Sequence, residues 1–172
     1  FLERVIAEYE VGVVFHLAAQ PQVSVAVADP TGTLEANVRG TWNVLEACRR
    51  QMVKMILASS DKSYGDGPSP YREEQPVLAS GIYATSKAMA DLAAQTYARE
   101  YGMPVAIVRT GNLYGPGNGN FSTIIPDAIR SALTGRPLIL RSDGRSKRDF
   151  LFVGDAVDGY LKLADSILLG AV

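Results

Sequence analysis

Three short apolar runs, Gly12–Leu17, Val53–Ala58 and Val105–Val108, are separated by amphipathic helical patterns. Runs this short and this rich in branched side chains are too brief for helices. Lacking strict polar alternation, they read as strands buried on both faces. Strands of that kind, joined by helices, build a parallel sheet with helical layers on either side. The expected fold class is therefore α/β, with a doubly wound parallel sheet.

The intervening segments follow from local chemistry. Phe1 opens directly within a helical pattern that sets Leu2, Val5, Ile6 and Tyr9 on one stripe. Ala18-Ala19-Gln20-Pro21 follows the first strand, and a variable stretch then leads to Asp29. Pro30 suits a first helical turn and Asp29 its cap. The helix that follows carries Leu34, Val38, Leu45 and Cys48 on its apolar side and ends in Arg49-Arg50. Ser59 to Ser80 is a polar loop. Gly81 to Tyr101 is a long helix closed by Gly102 and Pro104.

After Gly111 the character changes. A Gly- and Asn-rich loop over Gly111–Asn120 precedes a helix over Ser122–Leu133, with Ile124, Ile125, Ile129 and Leu133 facing inward. Leu138–Leu140 and Asp149–Val153 read as short strands, and Asp155 opens a last helix. The expected organisation is one domain over 1–110 and the start of a smaller lobe over 111–172, to which the last helix need not belong. A chain that opens inside a helix, with no strand before it to cross over from, is expected to be a piece of a longer protein.

Composition narrows the chemistry. The chain has 17 basic and 18 acidic residues, so its balance carries no footprint of nucleic acid or anionic membrane. A single cysteine excludes an internal disulfide and fits a reducing compartment. With one histidine and one cysteine no metal site is expected. The expected setting is the cytoplasm.

Four stretches carry functional residue types. Tyr83-Ala84-Thr85-Ser86-Lys87 puts a phenol and an ammonium on one helix face. There the cation can hold the phenol below its ordinary pKa of about 10, making it a general base for an alcohol. His16-Leu17-Ala18-Ala19-Gln20 lies at the carboxyl end of a strand, where ligands of open α/β sheets sit. Its two alanines would let a flat cofactor approach the backbone, while His16 reads equally well as a hydrogen-bonded residue within the sheet. Asn37-Val38-Arg39-Gly40-Thr41 places two poor helix formers in one helix. Asn37 there could hold a water or a backbone group near the site, and Gly40 could admit a close neighbour. Ser59-Ser60-Asp61-Lys62-Ser63-Tyr64-Gly65 presents hydroxyls, a carboxylate and an amine just after a buried run.

In order and spacing these motifs resemble the extended short-chain dehydrogenases, and within them the NAD-dependent nucleotide-sugar epimerases and dehydratases. Arg109-Thr110-Gly111-Asn112-Leu113-Tyr114-Gly115-Pro116 and Arg148-Asp149-Phe150-Leu151-Phe152-Val153-Gly154-Asp155 resemble two further motifs of that family. The resemblance implies a Rossmann-like sheet, NAD as cofactor, a nucleoside-diphosphate sugar as substrate, and a homodimer built on the helix after Asn37 and the Tyr83 helix. It also implies that the Gly-rich turn and the ribose-binding acid of the cofactor site would precede Phe1. Asp61-Lys62 resembles the acid–base pair of sugar 4,6-dehydratases, in the form found in enzymes like CDP-glucose 4,6-dehydratase, and Ile139 to Gly144 looks like a relative of that branch. A 4-epimerase is the alternative; a non-catalytic NAD-sensing or interaction module is the alternative from another class.

By the same resemblance Tyr83 is the base at the sugar 4-hydroxyl. Lys87 tunes it and binds the nicotinamide ribose, and Ser60 bonds the same hydroxyl. Asp61 protonates the departing O6, while Lys62 either removes the C5 proton or orients Asp61. Leu17, Ala18, Ala19, Asn37 and Ser59 join Tyr83 and Lys87 around NAD, and Gln20, Asn112 and Arg148 contact the substrate, with Arg148 on the pyrophosphate.

Overall fold

A computed structural model describes residues 1–140, 142–145 and 147–170. The elements are α1 (Leu2–Glu8), β1 (Val13–His16), α2 (Val23–Ala28), α3 (Pro30–Leu34), a π-helical turn (Glu35–Arg39), α4 (Gly40–Arg50), β2 (Lys54–Ala58), a 3₁₀ turn (Asp61–Tyr64), α5 (Ile82–Tyr101), β3 (Val105–Val108), β4 (Asn112–Tyr114), α6 (Ile124–Thr134), β5 (Phe150–Phe152) and α7 (Val153–Leu168). They divide into two compact units: Phe1–Thr110 with the chain from Gly159 onward, and Gly111–Asp158.

The first unit is built on a parallel sheet in the order β1-β2-β3. Val13 lies beside Lys54, and Met55 beside Val105. Alternate residues of each strand serve opposite layers, as the pleat requires. Met55 and Leu57 pack with Ile6, Leu45, Cys48 and Ala94 from α1, α4 and α5. Ile56 and Ala106 pack instead with Ala164 and Ile167 of α7. Helices therefore cover both faces, and the doubly wound α/β arrangement is observed.

Several local expectations hold. The Asp29 carboxylate accepts from Gly32 N at 2.9 Å, capping a helix that starts on Pro30. Gly102 ends α5 in the left-handed conformation, φ 61°. Others are corrected. The stretch before Pro30 contains a helix, α2, whose alternating Val and Ala carry no helical stripe. Tyr9 lies beyond α1 and is exposed. The helix after Pro30 is interrupted by the π-helical turn centred on Asn37.

The second unit differs more. Asn112–Tyr114, expected in a loop, forms β4 and pairs in parallel with β5. Leu138–Leu140 forms no strand. Arg141, in the segment compared with the CDP-glucose branch, lies outside the described residues. Ile124, Ile129 and Leu133 are exposed rather than inward, while Pro126 and Ser131 are the buried positions of α6. Within this unit Ile125, Ile129 and Leu133 instead line an apolar groove of about 320 Å³ with Tyr114 and Phe121.

Candidate active site

Tyr83, Lys87 and Asp91 stand on successive turns of α5, along one stripe. Tyr83 is half-buried, and Lys87 and Asp91 are buried. Lys87 Nζ donates to the Ala58 carbonyl where β2 ends. Among the described residues the ammonium has no second partner, so two of its three N–H groups remain for a ligand.

The loop leaving β2 brings Ser60 to the same place. Its hydroxyl caps the 3₁₀ turn, accepting from Lys62 N at 3.2 Å and donating to Asp61 Oδ1 at 3.1 Å. Gly65 ends the turn at φ 61°, and a Cβ there would lie 2.1 Å from the Leu78 carbonyl oxygen, so only glycine fits. Asp61 and Lys62 form an ion pair at 3.4 Å. Lys62 is 40% exposed, which suits it to hold the Asp61 carboxylate.

Burial raises the Tyr83 phenol above its usual value; the Ser60 hydroxyl opposes this, and the Asp61 carboxylate adds to it. The direction is opposite to the lowering expected from Lys87. The ammonium is tied to the Ala58 carbonyl, and burial lowers its own pKa, with Asp91 acting in the opposite sense.

Asn37, Gln20 and Ser59, also expected to touch ligands, likewise have side chains engaged within the protein. Asn37 Oδ1 accepts from Gln20 N at 2.6 Å, while its Nδ2 donates to Gln20 O at 3.0 Å and to Ser86 Oγ at 2.9 Å. It thus clamps the backbone after β1 to α5. Gln20 spends its own amide on Gln22 and Thr33. Ser59 Oγ donates to Asp91 Oδ2 at 2.6 Å. No protein atom crowds Gly40, where a Cβ would meet Glu35 O at 3.8 Å, an ordinary contact, and the glycine lines an apolar cavity with Ala18 and Ala19.

His16 Nε2 lies 2.9 Å from Thr41 Oγ1, and that hydroxyl donates to the Asn37 carbonyl at 2.7 Å. Thr41 therefore accepts from the ring, which fixes the neutral tautomer with its proton on Nε2. Burial lowers the His16 pKa, and the Lys87 charge lowers it further. Leu17 and Ala18 are exposed and Ala19 half-buried. Ala18 and Ala19 line an apolar cavity of about 710 Å³ with Val14, His16 and Val44. Small side chains on an apolar wall, and a buried ammonium with spare donors, fit a flat cofactor carrying a ribose.

Asn112 and Arg148 belong to the second unit. Asn112 begins β4, and its Nδ2 donates to the Asp149 carbonyl at 3.3 Å. Arg148 is exposed and forms no ion pair among the described residues. Those residues also gather no group of three His, Cys, Asp or Glu side chains able to hold a metal, and include no helix long and apolar enough to cross a membrane. Sequence reasoning passed over Thr33, Thr41, Ser86, Asp91 and the Arg109 side chain. Asp91 alone left a signal: an acid on the buried stripe of Ala84, Ala88 and Ala94.

A parallel sheet with a serine just past a strand end, and a tyrosine and a lysine on one face of a neighbouring helix, defines a class, the short-chain dehydrogenase type of NAD enzyme. The model of the NAD dependent epimerase/dehydratase family matches residues 1–170. The chain belongs to that family. It is 38% identical over 146 residues to a dTDP-glucose 4,6-dehydratase of Mycolicibacterium smegmatis, covering 83% of this chain and 44% of the relative. It is 35% identical over 168 residues to a UDP-N-acetyl-alpha-D-glucosaminuronate decarboxylase of Bacillus cytotoxicus, covering 93% and 52%. The structure superposes on a dTDP-glucose 4,6-dehydratase of Bacillus anthracis in complex with NAD, with a TM-score of 0.84 and 32% identity, covering 99% of this chain and 52% of that one. The chain spans about half the length of the curated relatives it matches.

Proposed function

We propose that the whole protein is an NAD-dependent nucleotide-sugar 4,6-dehydratase acting on a nucleoside-diphosphate hexose. The observation that carries this reading is the Asp61–Lys62 ion pair on the turn that also presents Ser60, next to Tyr83. Losing water across C5 and C6 needs a proton donor at O6, and inversion at C4 does not.

NAD, when bound, would supply the redox chemistry, as hydride acceptor for C4 and hydride donor for C6. Tyr83, as phenolate, takes the proton of the 4-hydroxyl. Ser60 hydrogen-bonds the same oxygen and steadies it as a carbonyl develops. Lys87, one turn from Tyr83 on α5, offers its spare N–H groups to a ribose. The 4-keto group acidifies C5, whose proton passes to Lys62 as a neutral amine, or to another base if Lys62 only orients Asp61. Asp61 in its acid form protonates O6 as it leaves, and C5 takes a proton back as hydride reaches C6.

In this reading residues 1–110 form part of the cofactor domain and the second unit part of the nucleotide-sugar lobe. Asn112 contacts the sugar and Arg148 the pyrophosphate. Exposed Trp42 on α4, with Met89 and Leu92 on α5, supports the expected homodimer through these helices. The cytoplasmic setting belongs to the same proposal.

The test is incubation of the full-length protein and NAD with the dTDP-, UDP- and CDP-hexoses. Loss of one water, seen by mass spectrometry with a 4-keto product, supports the reading. Turnover to a C4 epimer of unchanged mass replaces it with the epimerase.

A further inference from the structure

The deepest charge of the first unit takes no part in these steps. The Asp91 side chain has no exposed surface and that of Arg109 is 14% exposed. Arg109 grips the carboxylate as a fork, Nε to Oδ2 at 2.7 Å and Nη2 to Oδ1 at 2.8 Å. Ser59 Oγ adds a donor to Oδ2 at 2.6 Å, and Gln95 Nε2 one to Oδ1 at 2.7 Å. The remaining Arg109 nitrogen, Nη1, donates to Tyr64 Oη at 2.9 Å and to the Glu73 carbonyl at 3.3 Å. Its guanidinium also lies over the Tyr64 ring, which stacks on Tyr71.

These attachments bracket the turn that carries Ser60, Asp61 and Lys62. Ser59 stands just before it and Tyr64 closes it. Backbone bonds from Ser59 N to Val108 O at 2.8 Å and from Asp61 N to Thr110 O at 3.0 Å lay the same segment along the exit of β3. Asp91 meanwhile sits one turn beyond Lys87 and two beyond Tyr83.

We propose that Asp91 and Arg109 are a positioning unit for the reaction: their ion pair fixes the Ser60–Asp61–Lys62 turn against the face of α5 that bears Tyr83 and Lys87. A buried ion pair adds little stability over apolar residues of equal volume, so its value here is geometric. Four donors on one carboxylate, drawn from the residues just past β2 and β3 and from α5, leave the turn one position relative to the helix. The inference rests on the roles given above to Ser60, Asp61 and Tyr83.

The experiment uses full-length protein with NAD and the variants Asp91→Asn, Asp91→Glu and Arg109→Lys. Amide hydrogen exchange is followed over residues 59–65, in β1 and along α5, and kcat and KM are measured for oxidation at C4. Asp91→Asn is expected to speed exchange over 59–65 alone. It should lower kcat about 10- to 100-fold, the cost of misplacing a reacting group, while KM moves less than about threefold. Asp91→Glu should recover most of the rate. If Asp91→Asn does not fold, Arg109→Lys, which keeps the charge and loses the fork, gives the same readouts. Exchange over 59–65 unchanged from wild type, or raised equally throughout the unit, overturns the proposal. If the wild-type protein oxidises no nucleotide sugar, the functional reading falls and the exchange pattern still decides whether the pair positions the turn.

Discussion

The Asn37 carboxamide donates to the Ser86 hydroxyl at 2.9 Å, and Ser86 in turn donates to the Tyr83 carbonyl at 2.7 Å. The π-helical turn after α3 and the first turn of α5 are thereby joined just behind the phenol. Asn37 and Ser86 are both fully buried, so no water replaces either partner.

Asn37→Ala is therefore expected to destabilise the protein. It strands Gln20 N and Gln20 O and removes one of the two hydrogen bonds of the Ser86 hydroxyl, and buried unpaired polar groups cost about 1–3 kcal/mol. Urea denaturation of the full-length protein should show a lower midpoint with an unchanged slope. An unchanged midpoint would mean that the clamp contributes nothing.

Tyr83→Phe should suppress oxidation at C4 by about 10²- to 10⁴-fold while leaving nucleotide-sugar affinity nearly intact, because the phenol is asked for proton transfer. Burial raises the phenol, and it must lose its proton before it can accept one. The rate of C4 oxidation should therefore climb as pH rises toward the phenol's range. Ser60→Ala removes the influence opposing that rise, so the climb should move to higher pH. Single-turnover absorbance at several pH values reads both effects; a limb that moves to lower pH in Ser60→Ala contradicts the assignment.

Asp61 and Lys62 decide between water loss and inversion. Asp61→Asn should still reduce NAD on binding substrate, then stall before water leaves. Lys62→Ala should slow exchange of the C5 hydrogen if the amine removes that proton. If Lys62 only holds Asp61, exchange at C5 survives and water loss falls. Normal turnover of both variants to a C4-inverted product rejects the dehydratase.

His16 sets a pH dependence of stability. Its folded pKa lies below the unfolded value of about 6.5, so the unfolded chain takes up its proton first as pH falls. The contribution is full above that value and declines as pH drops through it toward the folded pKa. Thermal midpoints should fall across this window, and His16→Gln, which can still donate to Thr41, should flatten the decline. A slope of equal size in the variant would assign the effect elsewhere.

Much of this was legible in the sequence where local and tertiary preferences agree. Val105–Val108 is a strand with the expected bounds, and α5 runs to Tyr101 before Gly102. Tyr83 and Lys87 share a face, and the turn after β2 comes to them. What stayed hidden depends on partners distant in the chain. Ser59 and Asn37 are polar residues beside a suspected site, and spacing alone cannot show that their hydrogen bonds are claimed by Asp91 and by Gln20 and Ser86. The Gly- and Asn-rich stretch after Gly111 reads as a loop because β4 exists only through its pairing with β5. Ile124 and Leu133 obey a helical period, yet their side chains are exposed.

The register of the sheet bears on how the protein is made. β1 pairs with β2 across about 40 residues of chain and β2 with β3 across about 50, and such parallel closures are slow because long loops must form before any contact rewards them. Ser60 and Tyr83 come together only around the finished sheet. Until then the runs Val53–Ala58 and Val105–Val108 are open to other chains, so substitutions that weaken the crossover helices will first be felt as lost soluble yield during synthesis.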